Sequence, residues 1–487
     1  MSGSGAGRVD AIRARLDHPV IDSDAHFIEF MPEVLDRLRE LAGERAVAAF
    51  ERLGESIRAS RALTPRERRQ AGGTRAPWWA FPTSNTLDRA TMMLPRLLYE
   101  RLDEIGLDFA VVYPSYATFP VNMGDAELRQ AGCRAFNRHI AEAFRDYRDR
   151  LAPVATIPMH TPEEAVAELE YAVRELGFRA VVLPSYVRRP YAGAGSAPGA
   201  SWIDFFCFES PHDFDPVWAA CERLGVAPTF HSTGYGWGSR TSTSNYVANH
   251  IGNFAAAGEG IARSLFLSGV PWRFPGLRFA FLEGGVNWAC SLYADLIGHW
   301  AKRNREQIHS YDPARLDRPL LEELIGRYGS ESVRERLGEL DRSLYLLSDP
   351  DEDPESLDEF SRCGIESPED IRDVFAERFH FGCEADDPMN ASAFSTRLPL
   401  GARLKAIFSS DIGHWDVPDM SKVLTEAYEL VDEGHLSEGD FREFAFDNPM
   451  SLWWGANSEF FHGTALESAV PAAAETARPA DPPPAPA

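Results

Sequence analysis

The 487-residue chain predicts an α/β fold, a TIM-type (β/α)8 barrel with helical insertions and a disordered C-terminal tail. Three observations carry the expectation. Eight short apolar, β-rich runs recur along the chain, helical patterns fill most of the intervals between them, and polar residues collect where several of the runs end. A parallel sheet covered by crossover helices buries such runs on both faces, and eight units close a barrel. A doubly wound open sheet is the alternative.

The runs are HPVIDSDAH (18–26), LDFAVVYPSY (107–116), LAPVATIPM (151–159), FRAVVLPSY (178–186), VAPTFHSTG (226–234), LRFAFLEGG (277–285), RFHFGCEADD (378–387) and LKAIFSSDIGH (404–414). Before the fourth lies PEEAVAELEYAVRELG, with Pro162, Glu163 and Glu164 suited to a first helical turn and Gly177 to the residue past a helix end. PVWAACERLG leads into the fifth in the same way.

Residues 1–17 read as an N-terminal extension, 18–463 as the barrel and 464–487, rich in Ala and Pro, as the tail. Two intervals are too long for loops, 41–96 after the first strand and 301–376 before the seventh, and both predict helical insertions. The first can cover the barrel's C-terminal mouth. Its TRAPWWAFPTSN, with Trp78, Trp79 and Phe81, is a candidate lid or subunit contact, and anchoring of the insertion is the competing role.

With 44% hydrophobic residues the chain can bury a large core. Its 49 Lys and Arg against 74 Asp and Glu leave a net charge of -25, which repels phosphate backbones and anionic membranes. No stretch approaches the apolar length of a membrane span, and the first residues, MSGSGAGRVDAIRARLD, hold no apolar core of signal-peptide length. The six cysteines are scattered without a CxxC pair, which fits a reduced, cytoplasmic setting.

In the first strand, regular alternation puts Asp22, Asp24 and His26 on one face and Ile21, Ser23 and Ala25 on the other. Polar residues also end strand five at His231, strand six at Glu283 and strand eight at Asp411 and His414. In a barrel these ends converge. Carboxylates and imidazoles from several strands are the ligand types of one divalent ion, zinc first, manganese or iron next, and Asp24, His26, His231 and Asp411 make such a set. Singly, His231 can be a hydrogen-bonded core histidine, Asp411 a helix cap and Asp24 a member of a buried polar network. Cys383, at the end of strand seven beside Glu384, reads as a packed small residue rather than a nucleophile.

The order of these motifs resembles the amidohydrolase superfamily and, within it, the amidohydrolase-2 group that contains 2-amino-3-carboxymuconate-6-semialdehyde and γ-resorcylate-type decarboxylases. The stretches that carry the resemblance are IDSDAHFIE, YPSY, FDPVWAACERLGVAPTFH, SLFLSGVPWRFPGLRFAFLEGGVNW, FSSDIGHWD and FDNPMSLWWG. It implies that Asp24 and His26 match the first-strand metal motif, usually His-x-His or Glu-x-His, that His231 is the strand-five ligand and that Asp411 is the strand-eight aspartate. Asp22 then orients a ligand, and Glu29 matches a frequent feature of the group or caps a loop.

Two departures stand out. Asp24 replaces the commoner His or Glu, adding oxygen character and negative charge. Glu283 stands where the decarboxylases usually carry a catalytic histidine, and becomes a candidate general acid or base; pairing with an arginine is its structural alternative. His414 follows Asp411 at the spacing of the group's Ser-Asp-x-x-His signature and lies behind Asp411 and Glu283 in the catalytic set.

The resemblance thus implies a metal-dependent enzyme, a homodimer, acting on a small carboxylated, cyclic or enolic substrate. The reaction is non-oxidative decarboxylation or hydrolysis by metal-activated water. A hydratase or cyclase of a biosynthetic pathway and a non-catalytic binding module on the same barrel are the alternatives.

Overall fold

The computed structural model describes residues 3–76, 81–191, 200–231 and 237–470. Trp78 and Trp79, the strand-five stretch beyond His231 and the tail from 471 lie outside the described residues. Each of the eight predicted runs carries one strand: β1 Ile21–Phe27, β2 Phe109–Pro114, β3 Leu151–Thr156, β4 Ala180–Pro184, β5 Pro228–His231, β6 Phe279–Phe281, β7 Phe379–Glu384 and β8 Lys405–Ser409. They form one sheet in chain order, parallel throughout. The sheet closes just beyond β8, where Asp411 N donates to Asp24 O (3.0 Å) and His26 N to Ile412 O (3.1 Å). The molecule is a (β/α)8 barrel.

Alternation sorts the strands into two layers. Phe109, Val111 and Tyr113 of β2 point inward with Val154, Val182, Leu282 and Ile407, and the C-terminal segment plugs the bottom with Phe446, Met450, Trp453 and Phe460. Ala110 and Val112 point outward into the layer under the helices.

β1 departs from alternation. Ile21 lies opposite Phe109 and Asp22 opposite Ala110, but Ala25 lies opposite Val112 and His26 opposite Tyr113, so β1 takes three steps where β2 takes two. This is a β-bulge. Asp22 therefore faces outward with Ala110 while His26 faces inward with Tyr113, and the single face expected for Asp22 and His26 is corrected. Asp24, beside the bulge, joins His26 on the inner side.

The helix Pro162–Glu170 opens on a reciprocal Thr161–Glu164 capping box, and Gly177 has a φ of 70°. Residues 41–96 hold most of the helix Met31–Ala62 with Pro65–Gln70 and Thr86–Thr91; residues 301–376 hold Arg318–Tyr328, Glu331–Glu335, Asp341–Leu344 and most of Pro368–Arg378. A hairpin, Val187–Pro190 against Ser201–Asp204, follows β4 and has no counterpart in the sequence reading, because VRRP is polar and short. At the ends, Val9 and Ile12 of the helix Gly3–Arg13 are buried, and packing continues past residue 463 to Leu466. No described helix is long and apolar enough to cross a membrane.

Candidate metal centre

The C-terminal mouth gathers Asp24, His26, His231, Glu283, Asp411 and His414. His26 Nε2 lies 2.9 Å from Asp411 Oδ1 and 3.5 Å from Asp24 Oδ1. The His26 ring stacks on His414 at 3.8 Å between centroids and meets His231 edge-on at 5.5 Å. His414 Nδ1 lies 2.6 Å from Asp411 Oδ1, and His231 Nε2 lies 3.0 Å from Glu283 Oε2. One ligand atom each from Asp24, His26 and His231 falls within 4.8 Å of the others, and so does one each from His26, Glu283, Asp411 and His414.

Backbone geometry aims these groups. Glu283 and Asp411 both have positive φ, 56° and 52°, a region that costs a side-chain-bearing residue energy and is held only where the surroundings impose it. Gly413 has a φ of 111°, and a Cβ there would stand 2.5 Å from Met92 Cε and 3.4 Å from His26 Cβ, so glycine lets the β8 loop lie against His26.

Asp22 lies outside the cluster and supports it. Its Oδ1 accepts from Asp24 N (3.1 Å) and Ser410 N (3.0 Å), and its Oδ2 accepts from Ser410 Oγ. One carboxylate thus ties the bulge of β1 to the end of β8. Burial pushes it up to about 6 against the pull of those hydrogen bonds.

The inner groups are satisfied far less well. Neither oxygen of Asp24 or Asp411 and neither ring nitrogen of His26 makes a well-formed hydrogen bond, although all three side chains are buried and the rings of His26 and His414 press close on Asp411 Oδ1. Burial, with Glu283 nearby, pushes Asp411 well above the usual carboxylate range. Asp24 is also pushed well above that range by burial, against the pull of His231. Burial, with the neighbouring His414 and His231, pushes His26 well below the usual imidazole range. Buried polar atoms without partners are rare, and a cluster of them made only of carboxylate oxygens and imidazole nitrogens has the donor chemistry of a divalent cation, which reverses each of these penalties. The residues therefore fit a metal ion. A hydrogen-bonded network role does not fit the Asp24 oxygens, and among the described residues no backbone N–H donates to the Asp411 carboxylate as a helix cap requires.

Glu283 differs from its neighbours. Burial works to raise it, but the contact with His231 and the proximity of His414 and His250 outweigh burial and hold it below the ordinary carboxyl value. No arginine pairs with it among the described residues. His250, at the end of the short helix Tyr246–His250, brings Nε2 to 3.9 Å from Glu283 Oε1. His250 was not among the candidates read from the sequence: it ends no strand, and NYVANH carries no signal beyond a polar helix.

Aromatic rings wall the cluster. Tyr113 lies beside His26 and His231 and donates to Thr229 Oγ1 (3.0 Å); Phe254 stands edge-on to His231, and Trp415 to His250. Phe81 of the first insertion reaches within 6.0 Å of both His414 and Tyr116, so this insertion borders the mouth. Glu29 accepts from Tyr116 N and Ala117 N at 2.8 Å each and so clamps the loop after β2. Cys383 is buried, its thiol raised by burial and bonded to Phe381 O (3.2 Å), while Glu384 turns to the surface.

A family model described as amidohydrolase matches residues 21–333, more than half of the chain and a span that begins on β1 and includes Asp24, His26, His231 and Glu283. The chain belongs to the amidohydrolase family. It is an enzyme of that superfamily, of the amidohydrolase-2 group. Among solved structures, an amidohydrolase from Mycobacterium avium subsp. paratuberculosis is 16% identical with a TM-score of 0.50, the match covering 90% of this amidohydrolase and 100% of that chain. A 2,6-dihydroxybenzoate decarboxylase from Rhizobium is 14% identical with a TM-score of 0.47, over 90% and 98% of the two chains. A 4-oxalomesaconate hydratase from Rhodopseudomonas palustris is 13% identical with a TM-score of 0.45, over 90% and 97%. At these identities the likeness is one of fold.

Proposed function

We propose that this amidohydrolase is a mononuclear metal-dependent enzyme for a small carboxylated, cyclic or enolic substrate, in which Asp24, His26, His231 and Asp411 hold the ion and Glu283 moves the proton. The observation that carries the reading is the set of buried atoms on Asp24, His26 and Asp411 that crowd one another without a well-formed hydrogen bond. Zinc, then manganese or iron, suits two imidazoles with two carboxylates. When bound, the ion supplies Lewis-acid polarisation of a substrate oxygen.

The chain's own residues supply the rest. Glu283, held below the ordinary carboxyl value between His231 and His250, is set to accept a proton, and a base beside the ion favours activation of water, in hydrolysis or hydration. His414, stacked on His26 and against Asp411, fixes both of them in orientation. Tyr113, Phe254 and Phe81 narrow the approach and limit stray water. Non-oxidative decarboxylation is the second reading, supported by the motif resemblance, with Glu283 returning its proton to carbon once it has been protonated.

The test is turnover of a panel of aromatic and enolic carboxylic acids and lactones, followed for CO2 release and for ring opening or hydration. Water addition without CO2 supports the first reading; CO2 from an acid without ring opening replaces it with the second. Glu283→Gln is expected to keep its metal and lose at least 100-fold in kcat. Protein purified without stoichiometric metal, and with metal content insensitive to His231→Ala and Asp411→Ala, would end the metalloenzyme reading.

A further inference from the structure

One wall of the metal cluster continues outward as an apolar track. Phe254 stands edge-on to His231 at 5.2 Å between centroids and edge-on to His250 at 5.6 Å, and His250 in turn meets Trp415 edge-on at 5.6 Å. His250 thus reaches Glu283 with Nε2 (3.9 Å) and carries the track past it to the surface. Trp415 is 46% exposed, the one exposed tryptophan among the described residues, although tryptophan is on average a highly buried residue. Val247, three residues before His250 and so on the same side of its helix, is 56% exposed. Ile251, just past the end of that helix, is 69% exposed. The loop that presents Trp415 is pinned on both sides of it, since His414 N donates to Asp411 O (3.2 Å) and Val417 N to His414 O (3.3 Å).

We propose that Trp415, Val247 and Ile251 seat a ring-sized apolar part of the substrate, so that this amidohydrolase takes compounds carrying a hydrophobic body beyond the small group that reacts at the cluster. The proposal rests on the reading of the barrel mouth as a metal-dependent active site. Three features say what covers these side chains. The track starts at His231 and passes Glu283, so a molecule placed for reaction lies at its inner end. Three large side chains are far too few for a protein partner, which covers roughly 20–30 residues a side, and they match one ring or branched chain of a small molecule. None of the three is charged, whereas the inner end is made of carboxylates and imidazoles, so the two ends of the track suit the two ends of one amphipathic molecule. Trp415 offers a flat face held in place before the ligand arrives, and covering it with Val247 and Ile251 removes apolar surface from water without requiring a further hydrogen bond.

Calorimetric titration of the zinc-loaded full chain with benzohydroxamate and with biphenyl-4-carbohydroxamate tests the proposal. The hydroxamate head chelates a divalent ion through two oxygens and anchors both compounds alike, and the second differs from the first only by one phenyl ring. Wild type is expected to bind the biphenyl compound about tenfold more tightly, or better. Trp415→Ala and the double variant Val247→Ser/Ile251→Ser are each expected to cut that preference to about threefold or less, with zinc content and thermal melts unchanged because the side chains removed are exposed in the free protein. Equal affinity of wild type for the two compounds overturns the apolar seat and leaves the metal reading standing. A preference that survives both variants puts the hydrophobic body against another wall and overturns the assignment equally. Protein that holds no divalent ion, or that holds one and binds neither compound, ends the active-site reading and the seat with it.

Discussion

At the scale of single residues, Glu29 shows how burial alone makes a carboxyl group pH-sensitive. Both its oxygens accept backbone amides, yet full burial pushes it up to about 7 from an ordinary 4.5. Between those values the folded chain keeps a proton that the unfolded chain has released. The contribution of Glu29 to stability is therefore fully present below about 4.5 and lost as the pH rises through about 7, a change of roughly 3 kcal/mol. Glu29→Gln cannot ionise, and it leaves one of the two amides without an acceptor at a cost of about 1–2 kcal/mol. Denaturant unfolding across this pH range should give the variant a flatter stability curve than wild type. Parallel curves would show that Glu29 is ionised throughout.

At the scale of elements, the bulge in β1 decides which of its acids reach the site. The eight runs are legible in the sequence because each is apolar and bounded by turn residues, and each carries a strand. The convergence of His231, Glu283 and Asp411 is legible for the same reason, since each stands at or just past the C-terminal end of its strand. The bulge is not, because one extra residue in a strand changes the pairing partners without changing the pattern of residue types. Nor is His250, whose place depends on the path of the chain between β5 and β6.

Asp22, turned outward, holds the bulge by accepting from Asp24 N, Ser410 N and Ser410 Oγ. Asp22→Ala strands three buried donors, so a loss of about 2–4 kcal/mol is expected in urea unfolding. A fall of about 10- to 100-fold in metal affinity, read by chelator competition, should accompany it, because Asp24 is no longer aimed. Asp22→Asn, which keeps one acceptor, should fall between. An alanine variant with unchanged stability and affinity would mean that the barrel wall alone shapes the bulge.

At the scale of the whole molecule, the barrel bears a destabilising centre that the proposed cation would make favourable. Asp24 and Asp411 are pushed well above the usual carboxylate range in a buried mouth where His26 and His414 are themselves pushed toward their neutral forms, chiefly by burial, so the histidines that hold Glu283 low do not offset these two acids. The closed sheet and its helices must hold this arrangement against the repulsion. Replacing one buried charge with a neutral group of similar shape should then stabilise the metal-free protein, by about 1–2 kcal/mol for Asp411→Asn. If Asp411 ligates zinc as proposed, the order inverts when zinc is present. Wild type gains about 4 kcal/mol when free metal exceeds its dissociation constant a thousandfold, and the variant, lacking a carboxylate ligand, gains much less. Thermal melts of both proteins, after chelation and after zinc reloading, give the four values needed. The expected result is a crossing: the variant melts higher without metal and lower with it. If wild type is the more stable protein in both states, Asp411 is held by contacts of the fold itself, and the strain at the mouth does not come from its charge.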